Sequence, residues 1–157
     1  MVRGYRHGLK MPYNAMKVAR KAGLPYYVLA AFLEQETGGG RNVFGHDPTI
    51  FVGAGRVTKR KYLRYKRMRD ANPRNRKMQG VGPLQLTWYE FQDEADRLGG
   101  CWKPYISMLV GARLLAQYAK ESNHNWVKVG ERFNGSHEYG LEVKAKIDAW
   151  HQKLFGK

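Results

Sequence analysis

The feature that most restricts this chain is the run Tyr26 to Gln35 (YYVLAAFLEQ), together with the three glycines that follow it. Good helix formers carrying apolar side chains most of the way round predict a helix buried on nearly every side, so the remaining elements have to wrap around it. Gly38, Gly39 and Gly40 end it, because glycine accepts the left-handed conformation that closes a helix. Glu36 falls in the last turn, where the chain leaves a packed core. Two readings are open for it: a solvated residue at a helix end, or an acid facing a cleft. In the second, partial burial disfavours the charged form and raises the pKa toward what a general acid needs near neutral pH.

At 157 residues the chain suits one domain, residues 1–157, with one core. Its 43% hydrophobic residues and four tryptophans are not the composition of a disordered segment. The formal charge of +15, from 28 Lys and Arg against 13 Asp and Glu, points to a polyanionic partner: nucleic acid, a membrane surface or an anionic cell wall. Cys101 is the one cysteine, which excludes an intrachain disulfide and a cysteine-rich metal site within one chain, and it reads as a small buried hydrophobe. The N-terminal MVRGYRHGLKMPYN is basic but lacks the apolar core of a secretory signal. No apolar run approaches the roughly 20 residues of a membrane span, so no membrane insertion is expected.

Taken in order, Asn14 to Lys21 reads as a short basic helix ended by Gly23 and Pro25. After the central helix, residues 41–79 change character. NVFGHDPTIFVGAG reads as turns around a short extended piece. Residues 56–77 then carry eleven cations (Arg56, Lys59, Arg60, Lys61, Arg64, Lys66, Arg67, Arg69, Arg74, Arg76 and Lys77), opposed only by Asp70. Tyr62, Leu63, Tyr65 and Met68 interleave with them and predict an amphipathic helix anchored by those apolar groups and ended by Asn72 and Pro73. This segment reads either as a solvated face or as a surface for an anionic polymer. Basic residues near aromatics also suit single-stranded nucleic acid, although no recognition motif for it is present.

In QGVGPLQLT, Gly80, Gly82 and Pro83 make a constrained turn that passes one amide, Gln85, between Leu84 and Leu86. If buried, that amide needs hydrogen-bond partners. Thr87 with Glu90 three residues on predicts a capping box for a helix ended by Gly99-Gly100, with Trp88, Phe91 and Ala95 as an apolar stripe and Trp88 read as core packing. Residues 106–116 (ISMLVGARLLA) predict a helix at the centre of the core. After WVKVGERFNGS, the positions Tyr139, Val143, Ile147, Trp150 and Leu154 form the single stripe of a last helix. The fold class expected is all-α, mainly helical, with one turn-rich basic insertion at residues 41–79.

Three stretches in one order carry a resemblance. Glu36-Thr37 in QETGGG, then Gly82-Pro83-Leu84-Gln85, then Phe133-Asn134-Gly135 are similar to the Glu-Ser, Gly-Leu-Met-Gln and Tyr-Asn signatures of soluble lytic transglycosylases and goose-type lysozymes. GHDPTIF, GVGPLQLTWYEFQD and RFNGS resemble strings in the lysozyme-like glycosidase domain of endolysins from phages that infect actinobacteria. The likeness spans about Leu24 to Ala149. It implies a lysozyme-like fold whose cleft binds peptidoglycan glycan strands and cuts the bond from N-acetylmuramic acid to N-acetylglucosamine, without a cofactor or metal.

By that resemblance Glu36 is the general acid, Gln85 lines the cleft, Asn134 binds substrate or orients the acid, and Phe133 and Tyr139 join them as substrate-binding candidates. Asp47 resembles the base-side aspartate of goose-type lysozymes, beside the alternative of a turn-forming residue before Pro48. Pro83-Leu84 departs from Leu-Met, and Phe133 stands where the family has tyrosine, so no phenolic hydroxyl is available at that position. A hydrolase needs a base for water, whereas a lytic transglycosylase lets the sugar's own hydroxyl attack and leaves an anhydro end. The reading leans to hydrolysis. It further implies a monomer made in the host cytoplasm, reaching the wall after release, with residues 56–77 walling one side of the cleft and attracting anionic wall polymers. The readings kept beside it are a nucleic-acid-binding module in which Glu36 is structural, and a phage-particle component that cuts wall during entry.

Overall fold

The computed structural model describes residues 8–46, 52–71 and 78–156. Among them the protein is mainly helical, with seven helices and one two-stranded sheet. The helices are α1 (Pro12–Ala22), α2 (Tyr26–Thr37), α3 (Lys59–Asp70), α4 (Tyr89–Arg97), α5 (Pro104–Glu121), α6 (Trp126–Asn134) and α7 (His137–Phe155); β1 (Val43–Phe44) and β2 (Gly55–Arg56) lie between α2 and α3.

The apolar run forms α2, and Val28 to Leu33 are all buried. Around it pack Ala15 and Val18 of α1, Met108, Ala112 and Leu115 of α5, Val129 of α6, and Val143, Ile147 and Trp150 of α7. The stripe read along the last helix is the face α7 turns inward, with Leu154 partly buried at its end. A second, smaller cluster holds Phe44, Val57, Tyr62, Tyr65, Val81, Leu86, Ala95 and Cys101. Val110 of α5 belongs to this second cluster while its neighbours Met108, Leu109 and Ala112 belong to the first, so α5 is the element shared by both.

Polar side chains brace the smaller cluster. Gln92 is fully buried and fully partnered: its amide donates to the carbonyls of Gln79 (2.9 Å) and Leu86 (2.8 Å), while its oxygen accepts from Tyr65 Oη (2.9 Å) and Arg69 Nη1 (2.8 Å). Gln79 donates to Val52 O (2.8 Å) and Gly45 O (3.2 Å) and accepts from the Val52 N–H. Gln92 thereby ties loop backbone to helix α4, and Gln79 ties two loop segments together, with no polar atom of either amide left over.

The structure corrects three local expectations. Met68 of α3 is exposed, and Arg69 takes the inward position beside Tyr62 and Tyr65, because the carboxylates of Asp70 and Asp93 and the Gln92 oxygen stand there to receive its guanidinium. Thr87 does not cap α4; its hydroxyl donates to Gln85 O at 3.0 Å, and Trp88 occupies the cap position without a side-chain bond. WVKVGERFN is a helix in its own right, α6, capped by Asn125 accepting from the Lys128 N–H. The expected stop at Asn72-Pro73 lies outside the described residues.

α6 and α7 cross where Gly130 meets Gly140. A Cβ on Gly130 would lie 2.8 Å from Gly140 Cα, and one on Gly140 would collide with the Val127 carbonyl. Absence of side chains at both positions lets the two backbones touch, which brings the end of α6 against the end of α2.

Candidate active site

Glu36 lies in the last turn of α2 and is half-buried. The helix stops one residue later: Gly38 adopts φ 63°, and the N–H groups of Gly38 and Gly39 return to the carbonyls of Glu34 and Leu33, each at 3.1 Å. Thr37 then fastens this end to the next functional stretch. Its hydroxyl donates to Pro83 O at 2.8 Å and accepts the Gly40 N–H at 3.1 Å.

Residues 81–86 form a tight turn closed by reciprocal bonds between Val81 and Leu86, both 3.0 Å, and Val81 also bridges Phe44 of β1. Gly82 sits at φ 86° with Ser107 Oγ only 2.5 Å from where a Cβ would be, so the turn packs on α5 as only glycine permits. Gln85 has φ 55°, a left-handed conformation that costs a non-glycine residue about 1 kcal/mol. Its own amide offsets that strain by donating to Val43 O (2.8 Å) and Gly82 O (3.0 Å). Both Gln85 amide hydrogens are therefore committed to backbone, and the side chain holds the turn against β1 as well as facing the cleft.

The cleft runs between the two apolar clusters and encloses about 420 Å3. Glu36 and Gln85 lie along it with Leu86, Thr87, Trp88 and Phe91 on the α4 side and Leu114, Tyr118, Phe133 and Asn134 on the α5–α6 side. Among the described residues that line it, Glu36 is the one carboxylate. Phe133 packs edge-on against Phe32, centroids 5.5 Å apart. Phe32 sits one turn before Glu36 on the same face of α2. Asn134 ends α6, exposed, immediately before Gly135 turns the chain at φ 92°.

Tyr139 does not line the cleft. It lies behind it, buried beneath Phe32, with its hydroxyl toward Glu36. Burial pushes its phenol well above the ordinary value, and the charge of Glu36 and the hydrogen bond to it add to that effect. The contact falls short of good hydrogen-bond geometry, since the enclosed Tyr139 Oη meets no acceptor at proper distance and angle.

Asp47, the candidate base, lies outside the described residues. Glu34 is exposed on another face of α2 and accepts from Trp150 Nε1 at 3.1 Å. The basic helix α3 does not wall the cleft; α4, α5 and α6 do. Trp88, read as core, is half-exposed in the cleft with its ring 5.0 Å from that of Tyr89. Leu86, Thr87, Trp88, Phe91, Leu114 and Tyr118 are the cleft residues that sequence reasoning missed as such, although the stripe through Trp88 and Phe91 contained two of them.

Among the described residues no group of His, Cys, Asp and Glu could hold a metal ion, and no helix is long and apolar enough to cross a membrane. Cys101 is buried, its thiol pushed up to about 12 by burial and then by the charge of Asp96. Compared with protein-family models, with curated proteins and with solved structures, the chain matches none.

Proposed function

We propose that this protein is a peptidoglycan-cleaving glycosidase of lysozyme-like fold, with Glu36 as the general acid that protonates the glycosidic oxygen leaving N-acetylmuramic acid, and that it serves a phage as an endolysin. The observation that carries the reading is a carboxylate at a helix end, the one among the described lining residues, set in a cleft of about 420 Å3 that four aromatic side chains help to line. Sugar rings offer apolar C–H faces to Trp88, Phe91, Tyr118 and Phe133, while their hydroxyls and acetamido groups find polar partners at Thr87 and Asn134. Glu36 is half-buried, and the Tyr139 hydroxyl lies behind it, toward its carboxylate.

Protonation of the bridging oxygen breaks its bond to the anomeric carbon, and an oxygen nucleophile must then close on that carbon. In a hydrolase this is water, with Asp47 as the base. A second reading, the lytic transglycosylase, is favoured by Glu36 being the one carboxylate among the described lining residues: the substrate's own hydroxyl attacks, Glu36 takes back its proton, and no second acid is required.

Digestion of purified peptidoglycan, with the fragments analysed by mass spectrometry, decides between them. Reducing muramic ends mark the hydrolase and anhydro ends the transglycosylase. Glu36→Gln should lower turnover by about 10² to 10⁴-fold, while Glu34→Gln leaves it intact. Loss on Glu34→Gln with retention on Glu36→Gln would sink the assignment, and no cleavage of any actinobacterial wall would sink the activity.

A further inference from the structure

On the far side of β1 from the cleft lies a larger and more open groove of about 650 Å3. Its two share no lining residue, but they touch through Val43, whose side of the strand lines the groove while its carbonyl receives Gln85 Nε2. Lys10, Arg41, Arg56 and Lys103 stand around it, all exposed, and among the described lining residues there is no carboxylate. None of the four makes an ion pair with a described residue. Lys66 and Arg69 of α3, by contrast, are tied to Asp96, Asp93 and Asp70.

The groove is preformed. Asn42 Nδ2 donates to Trp102 O at 3.1 Å, holding its two walls at a fixed spacing. Arg41 Nε donates to Thr37 O at 3.0 Å, which anchors one edge of the guanidinium and leaves the other for a ligand. Four cations converging on a concave surface with no acid among them focus positive potential, and an anionic chain lying there relieves their mutual repulsion. Arginine pairs at the rim suit the paired oxygens of a phosphate.

Trp102 decides which kind of anionic chain fits. It is the aromatic residue lining the groove, and its ring is already covered: Lys59 Nζ sits 5.2 Å above the ring centroid, Tyr62 packs at 5.9 Å, and the Gly100 backbone lies so close that a Cβ there would be 2.6 Å from ring atoms. Single-stranded nucleic acid is held by successive bases stacked on open aromatic faces, and the described lining residues offer one aromatic ring, already partly covered by these neighbours. We infer that the groove bounded by Lys10, Arg41, Arg56 and Lys103 binds a base-free polyphosphodiester of the polyol type. Placing that polymer in a cell wall rests on the glycosidase reading above; the binding chemistry does not.

The test measures binding of lipid-free poly(glycerol phosphate) by calorimetry across a salt series, in a Glu36→Gln background so that turnover cannot contribute. The groove variant K10Q/R56Q/K103Q is set against an α3 control of equal charge change, R60Q/R64Q/R67Q, whose three positions are exposed. All six are surface changes expected to leave the fold within about 0.5 kcal/mol, and circular dichroism checks it. The groove variant should lower the slope of log affinity against log salt by about 2 to 3, and the α3 variant by less than about 1. Equal losses would overturn the site in favour of net charge alone. Tighter binding of a single-stranded oligonucleotide of matched charge would overturn the polyol assignment. If wild-type protein cleaves no peptidoglycan yet the two variants still differ, the groove stands and the glycosidase reading falls; cleavage without that difference removes the groove alone.

Discussion

Thr37 Oγ1 donates to Pro83 O at 2.8 Å, and this one bond joins the helix end bearing Glu36 to the turn bearing Gln85. Three glycines would otherwise leave that helix end free to move, so the spacing of acid and turn depends on a buried hydroxyl. Thr37→Val keeps the shape and removes the donor to Pro83 O and the acceptor for the Gly40 N–H. Leaving those buried groups unpaired should cost about 1–3 kcal/mol in denaturant unfolding. Thr37→Ser should recover most of it; a Thr37→Val variant as stable as wild type beside a destabilised Thr37→Ser would show that the methyl group, and not the hydroxyl, matters.

Trp88 is half-exposed and packs mainly on Tyr89, so it contributes little to the core. Trp88→Ala should leave the melting temperature unchanged while weakening glycan binding by about 1–2 kcal/mol, a roughly tenfold rise in KM on soluble peptidoglycan fragments. A large loss of stability instead would return Trp88 to a packing role.

Arg67 and Arg69 are neighbours in sequence and opposites in setting. Arg67 is exposed, whereas Arg69 is 5% exposed and bonded to Asp70, Asp93 and Gln92. Those carboxylates are partly solvated, which places the cost of Arg69→Gln below that of a fully buried pair, at about 2–3 kcal/mol. Arg67→Gln should fall within about 0.5 kcal/mol of wild type. Urea titration of the two single variants measures the contrast, and similar midpoints would contradict the buried network.

Cys101, Tyr62, Tyr65 and Tyr139 are all buried with their acid forms favoured. Unfolded, the thiol ionises near 9.0 and the phenols near 10.0, while the folded protein holds Cys101 neutral up to about 12 and the tyrosines neutral beyond their ordinary range. Above pH 9 the unfolded chain therefore releases protons that the native state keeps, and stability falls as pH rises, by up to about 1.4 kcal/mol per pH unit for each group. Below pH 9 these groups add no pH dependence. In an alkaline absorbance titration, three of the ten tyrosines should ionise only as helicity is lost; ionisation of every tyrosine with helicity intact would refute this.

Much of the helical plan could be read in advance, because burial imposes a period on apolar residues wherever a helix has one wet face. Tyr139, Val143, Ile147 and Trp150 show it in α7, and the all-round apolar α2 shows the fully buried case. Period does not say what the apolar face meets. Trp88 and Phe91 share a stripe with buried Ala95, yet they face the cleft, since a wall built for a ligand and a wall built for a core have the same pattern. Met68 and Arg69 changed places for a related reason: Asp93 and Gln92, far along the chain, supplied the partners that let a cation go inside. Gln85 was legible as an amide in need of partners, but its partners, the Val43 and Gly82 carbonyls, are known only once the turn has closed on β1.

The crossing of α6 and α7 at Gly130 and Gly140 bears on how the cleft can open. Two backbones in contact cannot slide, because a shift of one turn would drive the Val127 carbonyl or the Val143 side chain into the opposite chain. Phe133, Asn134 and Tyr139 therefore travel as one jaw. Any widening to admit a long ligand has to come from the other jaw, where Thr87, Trp88 and Phe91 lie at the start of the short helix α4.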